Sequence, residues 1–316
     1  MTGRFISTHS VVLVLPMNIS YMPAPGGSVH ADAAGSRPGG GFTTLSTVAA
    51  LGVRAALASP LGTGPNSFTV RQQLAEAGVE VLTQELVGDI GVAIQLIEET
   101  GSMTSIVTAG VESEPSRASL DHLVLTPGDL IYVSGTDLTN PYSAKVLGGW
   151  AASLPASVRL VIGLSPAVEQ VPVEAWKQVL GRADLVTMNL RESAALTKIL
   201  ASYSPASSIR ELMRPEAGVV RRMGARGCEV QADADAEFVP IAPYESTVAD
   251  TAGVGDTHVA TMCAGLLMGM SLTEACTMAN AAAAIAISHE SALPVPTREQ
   301  VDAVMATGRV SDAPVR

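Results

Sequence analysis

The sequence is short of aromatic residues, positive charge and cysteine, and each shortage excludes something. Aromatics make up 3% of a chain that is 47% hydrophobic, so Ala, Val, Leu, Ile and Met must fill the core. Side chains that small let helices lie close to a sheet. The formal net charge of -11 excludes nucleic acid and anionic membrane as the main partner, because both are bound through an excess of Lys and Arg. A small anionic ligand stays open, since backbone N–H groups at a helix start can hold phosphate without basic side chains. Cys228, Cys263 and Cys276 are spaced too widely for a zinc pattern or a disulfide framework, which fits a reduced, cytoplasmic setting. Long apolar runs are missing as well. Residues 11–15 are five apolar residues before Pro16, too short for a signal core. The stretch 254–287 is broken by Asp256, His258, Glu274 and a turn at residues 269–271, and reads as two buried helices instead of a membrane span.

What is present is an alternation of short apolar runs and helical patterns. Residues 11–15, 130–133, 160–162 and 185–188 read as buried strands; 43–51, 67–77, 142–153 and 173–180 read as helices. Alternating β and α predicts an α/β fold, a three-layer α/β/α sandwich with a mainly parallel central sheet, over one domain spanning 1–316. Ligands of such folds gather at the carboxyl ends of the strands. Two segments break the rhythm. Residues 23–41 are rich in Pro, Gly and Ala, and residues 91–97 and 104–108 read as a hairpin. They suggest a small β lid from about 16–38 and 88–110, or else edge strands of the main sheet.

The most informative stretch is Asp250-Thr251-Ala252-Gly253-Val254-Gly255-Asp256-Thr257, directly ahead of a long helical run. Glycines let the backbone turn tightly against a ligand. Free N–H groups and the helix dipole then favour a phosphate, and a carboxylate in the first turn stands where it can take a proton from an attacking hydroxyl. The bland alternative is an ordinary Gly-rich loop with Asp256 as a first-turn residue. Ser271 and Glu274 have the spacing of a capping box and independently start a second helix.

This stretch resembles the C-terminal signature of the ribokinase-like (pfkB) carbohydrate kinases, and the similarity continues through an Ala-rich helix carrying Asn280. Three further stretches match in order: Pro38-Gly39-Gly40-Gly41 for the N-terminal Gly-Gly signature, Asn189-Leu190-Arg191-Glu192 for Asn-x-x-Glu, and Gly224-Ala225-Arg226-Gly227 for a nucleotide loop. Ala292-Leu293-Pro294-Val295-Pro296 fits the last approach to the nucleotide. The resemblance spans about 11–300. It implies transfer of the ATP γ-phosphate to a primary hydroxyl of a small sugar, nucleoside or related alcohol, with Asp256 as base. Gly253, Val254 and Gly255 would form the anion hole. Asn189 and Glu192 would organise Mg²⁺ indirectly. Gly224, Arg226, Gly227 and Asn280 would lie by the nucleotide. Asp250 and the Ala252 carbonyl would match a monovalent cation site, with K⁺ as the candidate ion, and two copies could pair through the β lid.

The match fails at the acceptor. Many members carry an Asp about a dozen residues before the first Pro-Gly pair, where counting back from Gly26 gives Val14. Many carry an Asn after the Gly-Gly pair, where this chain has Thr43 and Thr44. With Gly39, Gly40 and Gly41, these residues are expected to line an unusual acceptor pocket. His258, which follows the signature where apolar residues are common, reads as a packed helix residue. The rival readings are a pyrimidine-alcohol kinase of the same superfamily and a nucleotide-binding member with weak or no activity and a regulatory role. A P-loop kinase is disfavoured by the lack of a Walker A sequence, and a Rossmann oxidoreductase by the lack of Gly-x-Gly-x-x-Gly between Leu15 and Gly26.

Overall fold

The computed structural model describes residues 3–33, 35–100, 103–203, 208–289 and 295–310. Ala292, Leu293 and Pro294, expected near the nucleotide, lie outside them. The strands are β1 (Phe5–Ser7), β2 (Val11–Ile19), β3 (Ala31–Ala33), β4 (Arg37–Gly40), β5 (Ala55–Leu57), β6 (Val79–Val81), β7 (Val92–Glu98), β8 (Met103–Val107), β9 (Leu130–Ser134), β10 (Arg159–Gly163), β11 (Leu185–Asn189), β12 (Gly218–Arg222), β13 (Cys228–Gln231) and β14 (Val239–Ile241). The helices are α1 (Gly41–Ala50), α2 (Pro65–Glu76), α3 (Arg117–Asp121), α4 (Pro141–Ala152), α5 (Val173–Arg182), α6 (Leu190–Tyr203), α7 (Ile209–Leu212), α8 (Val254–Leu267), α9 (Leu272–Ile287) and α10 (Arg298–Thr307).

The main sheet has the order β14-β13-β12-β11-β10-β9-β1-β5-β6. The pairings from β6 across to β12 are parallel, while β13 and β14 are antiparallel. Parallel strands covered on both faces must be apolar on both. Here Leu130 and Tyr132 of β9 face one layer, and Ile131 and Val133 face the other. The first layer brings Phe5, Leu130 and Val161 against Leu45 of α1, Leu74 of α2 and Met262 of α8. The second brings Ile6, Ile131 and Ile162 against Trp150 of α4 and Trp176 of α5. Each such side chain, when fully buried, contributes about 1.5–3 kcal/mol.

Small residues do what the composition implies. A Cβ on Gly265 of α8 would stand 3.0 Å from the Ala275 Cβ of α9, so this glycine sets how closely the two helices approach. Ser271 and Glu274 start α9 as a reciprocal capping box. Asn140 starts α4 by accepting the Tyr142 and Ser143 N–H groups, with Pro141 at the first position.

A second sheet runs β3-β2-β7-β8, with β4 also paired to β2. The segment 11–15, expected among the strands of the main sheet, belongs to this smaller one. The main sheet instead starts with β1, three residues long and followed by the polar run Thr8-His9-Ser10. An apolar run of five residues carries no information about which of two sheets will pair with it. The expected hairpin at 91–108 is present as β7 and β8, in the small sheet.

Candidate functional site

The chain enters the main sheet at β1, adds β5 and β6 on one side, then crosses back to place β9 on the other side. The crevice where β1 and β9 diverge is a topological switch point, where open parallel sheets bind ligands beyond the strand carboxyl ends. His9 follows β1 there and Asp137 follows β9. His9 Nδ1 lies 3.0 Å from Asp137 Oδ2. The Ser10 backbone N–H (3.1 Å) and hydroxyl (2.5 Å) both donate to Asp137 Oδ1. The Tyr132 ring meets the His9 ring edge-on, with centroids 6.5 Å apart.

Opposite this pair stands α8. Its N-cap, Gly253, has φ +72°, a left-handed conformation that glycine adopts without strain. Among the described residues no side chain caps the helix, so the first-turn N–H groups are left for another acceptor. Asp256 lies in that first turn and is partly accessible. Loss of hydration pushes its carboxyl above the usual carboxylate range, and the charges of His9 and Arg222 pull it part of the way back. His9 shows the converse balance. Burial alone would lower its pKa, but the charge and hydrogen bond of Asp137, with Asp256 beyond, raise it above the ordinary histidine value.

Arg222 ends β12 and reaches over the start of α8. A Cβ on Gly255 would fall 2.5 Å from Arg222 Nη1, so the guanidinium occupies the space a side chain would need. Arg222 Nη2 donates to Glu192 Oε2 at 3.1 Å, and the Glu192 side chain is 4% exposed. Glu192 Oε2 also accepts the Asn189 N–H, and Asn189 Oδ1 accepts the Glu192 N–H, both at 2.8 Å. Asn189 and Glu192 thus form a reciprocal cap at the start of α6, with one carboxylate tied to the Arg222 guanidinium beside the start of α8.

The loop expected by the nucleotide has Gly224 at φ +60° and Gly227 at φ +78°. A Cβ on Gly227 would fall onto the Ile241 carbonyl. The Asn280 amide donates to the carbonyls of Ile241 (3.2 Å) and Ala242 (2.9 Å), and its Oδ1 meets His258 Nε2 at 3.2 Å. Asn280 is therefore fully engaged by the protein and holds the wall behind the loop. His258 is buried against it, as a packed helix residue. Arg226 is exposed. Asp250 accepts the Ala252 N–H at 2.9 Å, so its carboxylate turns back on its own loop.

Gly40 and Gly41 run along the His9–Ser10 backbone, and Gly39 pairs with Val12 of β2. Gly40 has φ +61°, and Cβ atoms on Gly40 and Gly41 would fall onto the Ser10 and His9 carbonyls. Val14 sits further along β2, with its side chain against Gly39. Thr43 is partly exposed; Thr44 is fully buried, its hydroxyl without a partner among the described residues. Sequence reasoning missed His9, Ser10, Asp137 and Arg222. The first two were hidden by the brevity of β1. Arg222 carried a usable signal, because Arg221-Arg222 is a basic pair set directly before a Gly-rich loop in an acidic chain.

Comparison with known proteins bears on this arrangement. The sequence model described as pfkB family carbohydrate kinase matches residues 17–298. The uncharacterized sugar kinase YegV of Escherichia coli (strain K12) is 28% identical over 253 residues, covering 79% of this chain and 78% of that protein. The ATP-dependent ribose-1-phosphate kinase of Halopiger xanaduensis is 24% identical over 307 residues, covering 96% and 98%. Among solved structures, ribokinase from Thermotoga maritima superposes with a TM-score of 0.81 at 18% identity, covering 97% of this chain and 100% of the other. Arabidopsis thaliana ribokinase complexed with ribose and ATP gives 0.77 at 18%, covering 96% and 99%. At these identities the structural likenesses establish the ribokinase-like fold.

Proposed function

The chain belongs to the pfkB family of carbohydrate kinases, ATP-dependent phosphotransferases, and from that premise we propose that it transfers the γ-phosphate of ATP to a primary hydroxyl of a small sugar, nucleoside or related alcohol, with Asp256 as base. The observation that carries this reading is the placement of Asp256 in the uncapped first turn of α8, flanked by His9 and Arg222.

A hydroxyl attacks phosphorus well only if its proton has somewhere to go as the bond forms. An ionised Asp256 takes it, and the raised affinity of this carboxyl for protons strengthens it as a base. The N–H groups at Gly253, Val254 and Gly255 receive the charge on the transferred group. Arg222 adds a cation at the same place and holds Glu192. Glu192 and Asn189 fit an indirect role toward Mg²⁺, since a buried carboxylate already paired with a cation can accept further donors from a hydrated ion. Mg²⁺, when bound, would neutralise phosphate charge. Asp250 and the Ala252 carbonyl would offer oxygen ligands to K⁺. The residues 224–227 loop would take the nucleotide, and Val14, Gly39, Gly40, Gly41 and Thr43 would frame the acceptor beneath the small sheet. An inactive nucleotide-binding role is not favoured, because the base, the helix start and the nearby cation stand together.

The test is ADP release from MgATP across a panel: D-ribose, D-fructose, their 1-phosphates, and nucleosides. Acceptor-dependent ADP release with phosphate recovered on a primary hydroxyl is expected. Release independent of every acceptor, or none at all, would sink the kinase reading.

A further inference from the structure

The Asp137–His9 pair has no part in the phosphoryl-transfer scheme above, yet it occupies the switch-point crevice and acts electrostatically on Asp256. Its construction is that of an oriented imidazole. Asp137 Oδ1 is taken by two donors from Ser10, so Oδ2 is left to receive His9 Nδ1. The backbone on both sides is pinned: the His9 N–H donates to Ser7 Oγ at 3.1 Å, and the Gly41 N–H donates to the Ser10 carbonyl at 2.8 Å. Among the described residues, Nε2 has no hydrogen bond within the protein and is not one of the buried atoms left unpartnered, so it opens on the crevice. His9 as a whole is 6% exposed. A buried ring fixed at one nitrogen and open at the other is preorganised to bind through the open one.

We infer that His9 is the acceptor-recognising residue of this enzyme: through Nε2–H it donates to an oxygen of the acceptor beside the hydroxyl that Asp256 deprotonates, and Asp137 is the residue that positions it. This rests on the kinase reading above. The acceptor class that follows is a polyol or sugar derivative presenting an accepting oxygen, whether carboxylate, phosphate, carbonyl or ring ether, next to the reactive hydroxyl. The titratable groups facing the ring are Asp137, which follows β9, the neutral phenol of Tyr132 from β9, and Asp256 from α8 with Arg222 beyond it. Both carboxylates favour the protonated ring, so the donor form persists to higher pH than in an isolated histidine.

The experiment uses whichever panel member the wild-type enzyme phosphorylates fastest. KM and kcat for that acceptor, KM for ATP, and acceptor-independent ATP hydrolysis are measured for wild type, His9→Ala, His9→Gln and Asp137→Asn. His9→Ala is expected to raise the acceptor KM by ~10-fold or more, in line with a lost polar contact in a site built for one. KM for ATP should stay within about twofold. His9→Gln, which keeps an N–H donor at similar reach, should recover part of the loss. In the wild type, kcat/KM for the acceptor should fall at high pH while KM for ATP does not, and Asp137→Asn should move that limb to lower pH. An acceptor KM unchanged in His9→Ala overturns the inference while leaving the kinase reading in place. Equal losses toward acceptor and ATP, unrelieved in His9→Gln, show a structural clamp and overturn it too. If His9→Ala does not fold, His9→Gln and the Asp137→Asn pH limb decide. A wild type that uses no acceptor removes the kinase reading, and this inference with it.

Discussion

As the proposed base, Asp256 must be ionised to act, yet it stands where ionisation is costly. Replacing it with Asn keeps the size and removes the base. We expect Asp256→Asn to lower kcat by ~10²–10⁴-fold, the usual worth of general-base help, with nucleotide affinity nearly unchanged. Single-turnover kinetics beside a nucleotide titration measure both; a variant with near-normal turnover would remove Asp256 from the mechanism. A second prediction runs the other way. The carboxyl is raised in the folded state by lost hydration, so the folded form is favoured by a protonated Asp256. That contribution is complete below the ordinary carboxylate pKa and is lost as pH rises through the raised value. Asp256→Asn should therefore gain stability relative to wild type as pH rises from about 4, the ordinary carboxylate pKa, through the raised value, then hold a constant lead. Urea unfolding at a series of pH values checks it, and a constant difference across the range would contradict it. Asp256 was legible because Gly-x-Gly-Asp before a helical run is a local pattern with a local meaning. His9 and Asp137 were not, because they are 128 residues apart and meet only through the β1–β9 pairing.

At the scale of elements, the start of α8 makes opposite demands on Gly255. Alanine would suit the helix better by up to ~1 kcal/mol. Its Cβ would also displace the Arg222 guanidinium, which is the far end of a flexible side chain and can yield. Gly255→Ala is thus expected to keep or raise the melting temperature while reducing turnover by roughly 10–100-fold, because misplacing a charged group by about 1 Å can cost that much. Loss of fold with loss of activity would show that the glycine is needed for packing alone. The helices with strong local signals were readable: the Ser271–Glu274 cap and the turn at Gly269 divide α8 from α9 in the sequence itself. The Asn189–Glu192 pair forms a reciprocal cap at α6, and its spacing is that of a helix start. The strand at 11–15 was found, but its sheet was not, since pairing is a property of two segments and periodicity is a property of one.

For the whole molecule, ligand binding should report on the fold. MgATP at 100 times its dissociation constant adds about 2.7 kcal/mol to a native state that alone binds it. Thermal unfolding with ATP and Mg²⁺ is expected to shift upward by several degrees, to lose most of that shift in chelator, and to gain an increment when tetramethylammonium is replaced by K⁺. A full shift in chelator would argue against Mg²⁺ at Asn189 and Glu192, and identical shifts in the two monovalent cations against a site at Asp250 and Ala252. The alternation of β and α disclosed the layered architecture, because it follows from covering both faces of a parallel sheet. The crevice could not be read the same way, because it depends on where the chain reverses direction across β1.

One connection has a mechanical consequence. β2 leaves the main body at Val11, two residues after His9, and β4 returns to it at Gly40, one residue before α1. The two strands are hydrogen-bonded to each other at that junction, with Val11 opposite Gly40. At this corner the small sheet is therefore joined by two plies, both fastened beside the same imidazole, while β7 and β8 connect it to the body elsewhere. A tilt of that sheet about this corner would act as a lever whose fulcrum lies at Ser10 and Gly40, so its short arm ends at the His9 ring. Pressure on the broad outer arm, from an acceptor beneath it or a neighbouring molecule above it, would be delivered to the crevice as a small displacement multiplied in force.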